Sequence, residues 1–412
     1  MTRSDAPKAA RDSSPRAANP PLQRPAPAGS AHSQVYDVVI VGGGAAGLSA
    51  AVVLGRARRT VLVIDTGEPR NAPAQGVHGF LTRDGLSPAE LVRLGRTEAQ
   101  SYGAHFLSGR AADTRRTAAG LEVILADGTR ATGRRLLVAT GLIDSLPDVP
   151  GLQERWGVDV LHCPYCHGWE VRDQAIGILG TGPRSVHQAL LFRQWSDNVT
   201  LFLHTEMLDT AGALSTDHGP TAADWEQLAA RGIGVAIGPV AALEVTDDAL
   251  SGVRLASGHT IPIQALVVAT GLNARAGFLG GLGVEATPHP LGVGTHLDSD
   301  ETGQVRSNGS VVPGLWAAGN ATNPMAQVMV AATAGISVAA AINAHLIGEE
   351  IESAVEAYRH PFSVAAEAGN ARRVLRDRRH GPRTEVPDHA DMTSETDPTP
   401  GTVATEEMGT TR

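Results

Sequence analysis

Lysine is almost absent from this chain: Lys8 is the only one in 412 residues, and it stands in an N-terminal stretch without apolar periodicity. Schiff-base catalysis and phosphate loops built on a lysine are thereby excluded. The near-exclusive use of arginine for positive charge names no partner. With 34 basic and 43 acidic residues the formal net charge is -9, which argues against a nucleic-acid-binding surface as the main function. No run approaches the ~18 consecutive apolar residues of a membrane span, and the N-terminus lacks the apolar core of a signal peptide. A membrane partner is not expected. Cysteine is scarce too, with two in the whole chain. So few thiols, without an export signal, point to a cytoplasmic protein that uses them for catalysis or metal binding.

Both thiols lie in Cys163-Pro164-Tyr165-Cys166-His167-Gly168. Two cysteines with two residues between them can close a small disulfide ring, and a neighbouring imidazole can lower a thiol pKa into the range ~3.5 to 7.5. A redox dithiol is the leading reading. A zinc site would need His162 and His167 to join both thiols on one ion. The spelling Cys163-x-x-Cys166-His167 also matches c-type haem attachment, which belongs to exported proteins. A pair of inert core cysteines is the remaining alternative. We expect no metal.

The length suggests two domains plus tails. Residues 1–34, rich in Ala, Pro, Ser and Arg, read as a disordered leader, and residues 351–412 as a largely disordered extension. Order begins with the apolar run Tyr36 to Val41, of the kind found in a strand buried on both faces. It leads into Gly42-x-Gly44-x-x-Gly47 and a helix of small residues starting at Ala45 and Ala46. A second apolar strand ends at Asp65. Glycines here allow a tight turn and close approach of a pyrophosphate, and an acid at this offset accepts a ribose hydroxyl. Strand, glycines, helix, strand and acid in that order indicate an FAD-type dinucleotide site. Thr66, Arg70 and His78 in the following loops are further candidate contacts.

Two motifs recur. Leu136-Leu137-Val138-Ala139-Thr140-Gly141 returns as Leu266-Val267-Val268-Ala269-Thr270-Gly271, and Gly42-x-Gly44 returns as Gly180-x-Gly182, with Ser185 in the third glycine position. Similar offsets for different motifs argue for two nucleotide-binding modules, the second for NADPH or NADH. No arginine pair follows the second module's second strand to hold a 2'-phosphate. Near the end, Trp316-Ala-Ala-Gly319-Asn320 precedes a helix from Met325 to about His345. Gln327 and Val328 near its start can direct backbone N–H groups at an electron-accepting ring.

Taken together, these motifs resemble the low-molecular-weight thioredoxin reductases over roughly residues 35–350. The resemblance implies an α/β chain of two Rossmann-like domains, the second inserted into the first: an FAD domain in two parts, 35–147 and 272–350, around an inserted NAD(P)-type domain, 148–271. It implies that Cys166 lies against the flavin, that Cys163 exchanges with a dithiol or disulfide substrate, and that the protein is a homodimer whose nucleotide domain rotates. Departures bear on the substrate. His167 follows the second cysteine where the reductases have Asp, and Asn320 stands where they have Asp. The Cys-x-x-Cys-His form is similar to the flavin dithiol oxidases of gliotoxin- and holomycin-type metabolites, and His167 can take and return a proton near neutral pH. Three functions are therefore carried forward. They are a nicotinamide-driven reductase of a thioredoxin-like protein or small disulfide, an oxygen-using oxidase of a small dithiol, and a flavin-bound redox sensor.

Overall fold

The computed structural model describes residues 34–371, apart from 183, 209–213, 216–218 and 365. Residues 1–33 of the expected leader 1–34, and the tail beyond 371, lie outside the described residues. The chain divides into a large unit ending at Ile347 and a C-terminal one starting at Gly348.

The large unit begins with β1 (Val35–Val41), α1 (Ala45–Arg56) and β2 (Val61–Asp65). Val38, Val39 and Ile40 have no solvent exposure, and each such side chain contributes roughly 1.5–3 kcal/mol by leaving water. The chain reverses from β1 into α1 at Gly42, whose φ of +109° is costly for any residue with a β-carbon. At Gly47 a β-carbon would overlap the Gly42 carbonyl oxygen, so glycine there lets α1 sit directly on the turn. Next come α2 (Pro88–Ser101), started by the Ser87 hydroxyl accepting from the Glu90 amide, and β3 (His105–Ser108). The strands β4 (Ala111–Thr117), β5 (Gly120–Leu125) and β6 (Arg130–Val138) follow. β1 is flanked by β2 and β6 in parallel register, with Val41 opposite Ile64 and Val138.

After β6, β7 (Leu142–Ser145) leads away into a second sheet. Its strands are β8 (Val160–Leu161), β9 (Ile176–Gly180), β10 (Val199–Leu203), β11 (Gly234–Ile237) and, beyond a small antiparallel sheet, β15 (Ala265–Val268). The helices α3 (Pro164–His167), α4 (Arg184–Phe192) and α5 (Ala222–Ala230) lie between these strands. The order β11-β10-β9-β15-β8 is wholly parallel. The small antiparallel sheet comprises β12 (Val240–Thr246), β13 (Ala249–Leu255) and β14 (Thr260–Ile261). The chain returns on β16 (Gly271–Ala274), which pairs antiparallel with β7, and passes β17 (Thr287–Pro288) and β18 (Gly294–His296). β19 (Gln304–Ser307) and β20 (Ser310–Ala317) then rejoin the first sheet, β20 lying parallel to β6.

The last helix, α6 (Val328–Arg359), differs from the expectation of a helix from Met325 to about His345, and it passes the expected boundary of disorder at residue 350. By length and composition α6 could cross a membrane, but Ala331, Val338, Ala339, Ile342 and Leu346 are packed in the core beneath the first sheet. Gly335 permits this fit, since a β-carbon there would overlap the Ala46 carbonyl of α1. Beyond Ile347 strong helix formers such as Glu350, Glu352, Ala354 and Glu356 favour the helix, while Ile351, Val355 and Tyr358 form an exposed apolar stripe.

Candidate active site

One cavity of about 610 Å³ runs from the glycine turn to the two cysteines. Its floor is Gly42, Gly43 and Gly44 with the first residues of α1, Ala45 and Ala46. Gly44 caps α1 without a side-chain hydrogen bond, and nothing lies within 4 Å of the place a β-carbon would take there. The opening N–H groups of the helix are therefore available to an anion. Asp65 braces the turn. Its carboxylate accepts from the Gly43 amide at 2.8 Å and from the Gly67 amide at 3.0 Å. Thr66, Thr140, Gly141, Gln327 and Val328 complete the walls. Size, uncapped helix start and glycine-lined floor all fit FAD.

Some expected contacts have other partners here. The Arg70 guanidinium lines the cavity but grips Asp144 on β7 with two hydrogen bonds of 2.5 Å. Asp144 also accepts from the Thr270 hydroxyl at 2.9 Å, so Arg70 ties its loop to the crossover between the two sheets. His78 stands between Asp84 at 3.2 Å and Glu170 at 3.4 Å. The Asn320 side-chain amide donates to the carbonyls of Asn323, Pro324 and Ala326, holding the loop that precedes α6. Gly47 and Gly319 lie off the cavity wall; Gly319 faces the Ala46 methyl, as Gly47 faces the turn.

At the far end Cys163 and Cys166 are joined in a disulfide, with Cα atoms 5.3 Å apart. Pro164, whose ring suits a first helical position, starts the single turn α3, and the Cys163 carbonyl accepts from the amides of Cys166 and His167. Both cysteines, His162 and His167 line the cavity. Burial lowers the His167 pKa below that of a free imidazole, with Glu170 opposing the shift. The ring is therefore neutral at neutral pH and free to accept a proton. Burial likewise lowers the His162 pKa, and its Nδ1 lies 3.2 Å from the Val268 carbonyl, which assigns Nδ1 as the N–H donor. Sequence considered His162 only as a metal ligand. The aromatic rim was not recognised at all. Tyr165 and Trp169 are each 65% exposed, Tyr165 meets Trp195 edge-on at 5.9 Å, and Arg172 stacks over Trp169 at 4.2 Å.

Gly180, Gly182 and Ser185 lie away from this cavity, at the end of β9 and the start of α4. Ser185 is fully buried, and its hydroxyl accepts from the Thr181 amide at 3.1 Å. Both glycine turns thus tie down their middle amide, Gly43 on Asp65 and Thr181 on Ser185.

Residues 36–335 match the pyridine nucleotide-disulphide oxidoreductase family. Thioredoxin reductase sirT of Leptosphaeria maculans is 29% identical over 340 residues, covering 77% of this chain and 96% of its own. Thioredoxin reductase tcpT of Claviceps purpurea is 30% identical over 282 residues, covering 62% and 80%. The crystal structure of HlmI is similar with a TM-score of 0.71 and 42% identity, over 81% of this chain and all of that one. Matched from the first strand to the last helix, the chain belongs to the pyridine nucleotide-disulphide oxidoreductase family and is an FAD-dependent disulfide oxidoreductase.

Proposed function

We propose that this protein oxidises a small dithiol to its disulfide, with Cys163 and Cys166 as the first acceptor and oxygen as the last. The observation that carries the reading is the opening of the Cys163–Cys166 disulfide into the same cavity that fits FAD. The absence of any lysine or arginine between Arg193 and Arg231, where a 2'-phosphate would meet the second module, supports it from the other side.

Chemically, one substrate thiolate attacks Cys163 Sγ and Cys166 departs as a thiolate. The second substrate thiol then displaces Cys163, which closes the product disulfide and leaves both cysteines reduced. His167, neutral through burial, takes the proton from an attacking thiol. When bound, FAD supplies a two-electron acceptor that dioxygen can reoxidise. The two electrons and two protons of the dithiol end in hydrogen peroxide. Gly42, Gly44 and the start of α1 would hold the diphosphate, and Gln327 and Val328 at the start of α6 could offer backbone N–H groups to the ring.

His78, Asp84, Tyr165, Trp169 and Glu170 line a shallow, open depression beside the dithiol helix. A cytoplasmic setting and a homodimer belong to the same reading. Exposed Val330 and Ile336 on α6 offer apolar surface to a second copy. The names of the relatives favour a second reading, nicotinamide-driven reduction of a thioredoxin-like disulfide.

Oxygen uptake with a small dithiol and no nicotinamide separates the two. The oxidase forms one peroxide per disulfide; absence of uptake together with rapid NADPH-dependent disulfide reduction would reject it. The rate should also fall in acid, at a pH below the ordinary imidazole range because burial lowers the His167 pKa, since protonated His167 cannot take a proton. His167→Asn should slow turnover by about 10²- to 10⁴-fold and remove that acid limb. An unchanged profile would remove His167 from the mechanism.

A further inference from the structure

Three arginines line the large cavity: Arg70, Arg110 and Arg275. Arg70 is held by Asp144, and Arg110 faces Glu68 at 3.5 Å. Arg275 has no carboxylate partner among the described residues, and its Nε is buried without any hydrogen-bond partner. Leaving that N–H unpaired is costly, and the guanidinium as a whole carries a charge that no carboxylate among the described residues meets.

The backbone around Arg275 is firmly placed. It follows β16, where the chain re-enters the first sheet. Its amide donates to the Gly141 carbonyl at 3.1 Å, and its carbonyl accepts from the Thr140 hydroxyl at 2.7 Å. The same 139–141 segment presses on the glycine turn, for the Ala139 carbonyl occupies the space a β-carbon on Gly42 would need. Arg275 is thus anchored to the strand end that supports the turn, and it lines the cavity into which the uncapped start of α1 opens. The carboxylates on that wall are already engaged, Asp65 by two backbone amides and Glu68 by Arg110.

We infer that Arg275 binds the diphosphate of FAD, its planar fork pairing with phosphate oxygens alongside the N–H groups of α1. The assignment concerns cofactor retention and holds whichever way electrons flow through the dithiol. It also accounts for an arginine directly after the return strand, a position at which no motif asks for one.

The test follows FAD release from the purified holoenzyme by recovery of free-flavin fluorescence on dilution, in wild type, Arg275→Gln and Arg275→Lys. Loss of a charge-assisted contact should weaken retention in the glutamine variant by about tenfold or more, with lysine in between. Visible absorption maxima and midpoint potential of the bound flavin should stay unchanged, because the contact is to phosphate and not to the ring. Equal retention in all three proteins would overturn the assignment. So would weakened retention accompanied by a shifted potential, which places Arg275 at the ring. Should Arg275→Gln fail to fold, Arg275→Lys decides alone: wild-type retention contradicts the proposal, and partial loss with an unshifted potential upholds it.

Discussion

Cys163→Ser and Cys166→Ser should each reduce dithiol turnover to the uncatalysed background while the protein remains yellow. A serine hydroxyl cannot form the mixed disulfide through which thiol exchange proceeds, so removal of either sulfur breaks the relay completely. Both side chains are half-buried in α3 or at its start, and the sulfur-to-oxygen change removes little packing. FAD retention depends on other segments: the Gly42 turn, the start of α1, Asp65 and the start of α6. The two properties therefore separate cleanly, and a visible spectrum recorded beside a turnover assay reads both. Full turnover in either single variant would remove the disulfide from the mechanism. Loss of colour in both would mean that the pair is needed to build the cavity.

The second large effect concerns the nicotinamide nucleotide. NADPH should bind weakly and show no strong advantage over NADH. No lysine or arginine stands between Arg193 and Arg231, the region where a 2'-phosphate would meet the second module after β10. Arg193 itself is held by Asp197 and by the Arg231 carbonyl. Each charge-assisted hydrogen bond contributes ~1.5 to 3 kcal/mol, so two missing contacts weaken NADPH by about a hundredfold or more. His204 offers no substitute: its Nδ1 accepts from the Val240 amide, and burial lowers its pKa. Flavin reduction measured over a concentration series of each nucleotide should give similar and slow rates. A large preference for NADPH at micromolar concentration would show that the second module holds the 2'-phosphate by other groups.

Much of this site could be read before any coordinates because its chemistry is local in sequence. The glycine turn, the helix start and Asp65 lie within one strand–helix–strand unit, and the dithiol and His167 occupy one six-residue stretch. What could not be read depends on distant partners. Arg70 does line the cavity, but nothing nearby in sequence reveals that Asp144, on a remote strand, pairs with it. Ser185 was expected only to be small, and the bond its hydroxyl returns to Thr181 has no sequence signal. Arg275 sits in a turn-rich stretch without a motif, and its significance lies in a missing partner, which only packing reveals. The end of α6 differs for another reason: small packing residues marked its first half, whereas the rest carries an apolar stripe that is exposed and so gives no core signal.

Anaerobic rapid mixing of the oxidised holoenzyme with a small dithiol, and separately with NADPH, tests the central claim most directly. The account predicts that the dithiol bleaches the flavin in wild type and not in Cys163→Ser or Cys166→Ser. Admitted oxygen should then restore the colour, and NADPH should bleach it slowly. Rapid bleaching by NADPH with no response to the dithiol would contradict the account and make this protein a nicotinamide-driven reductase.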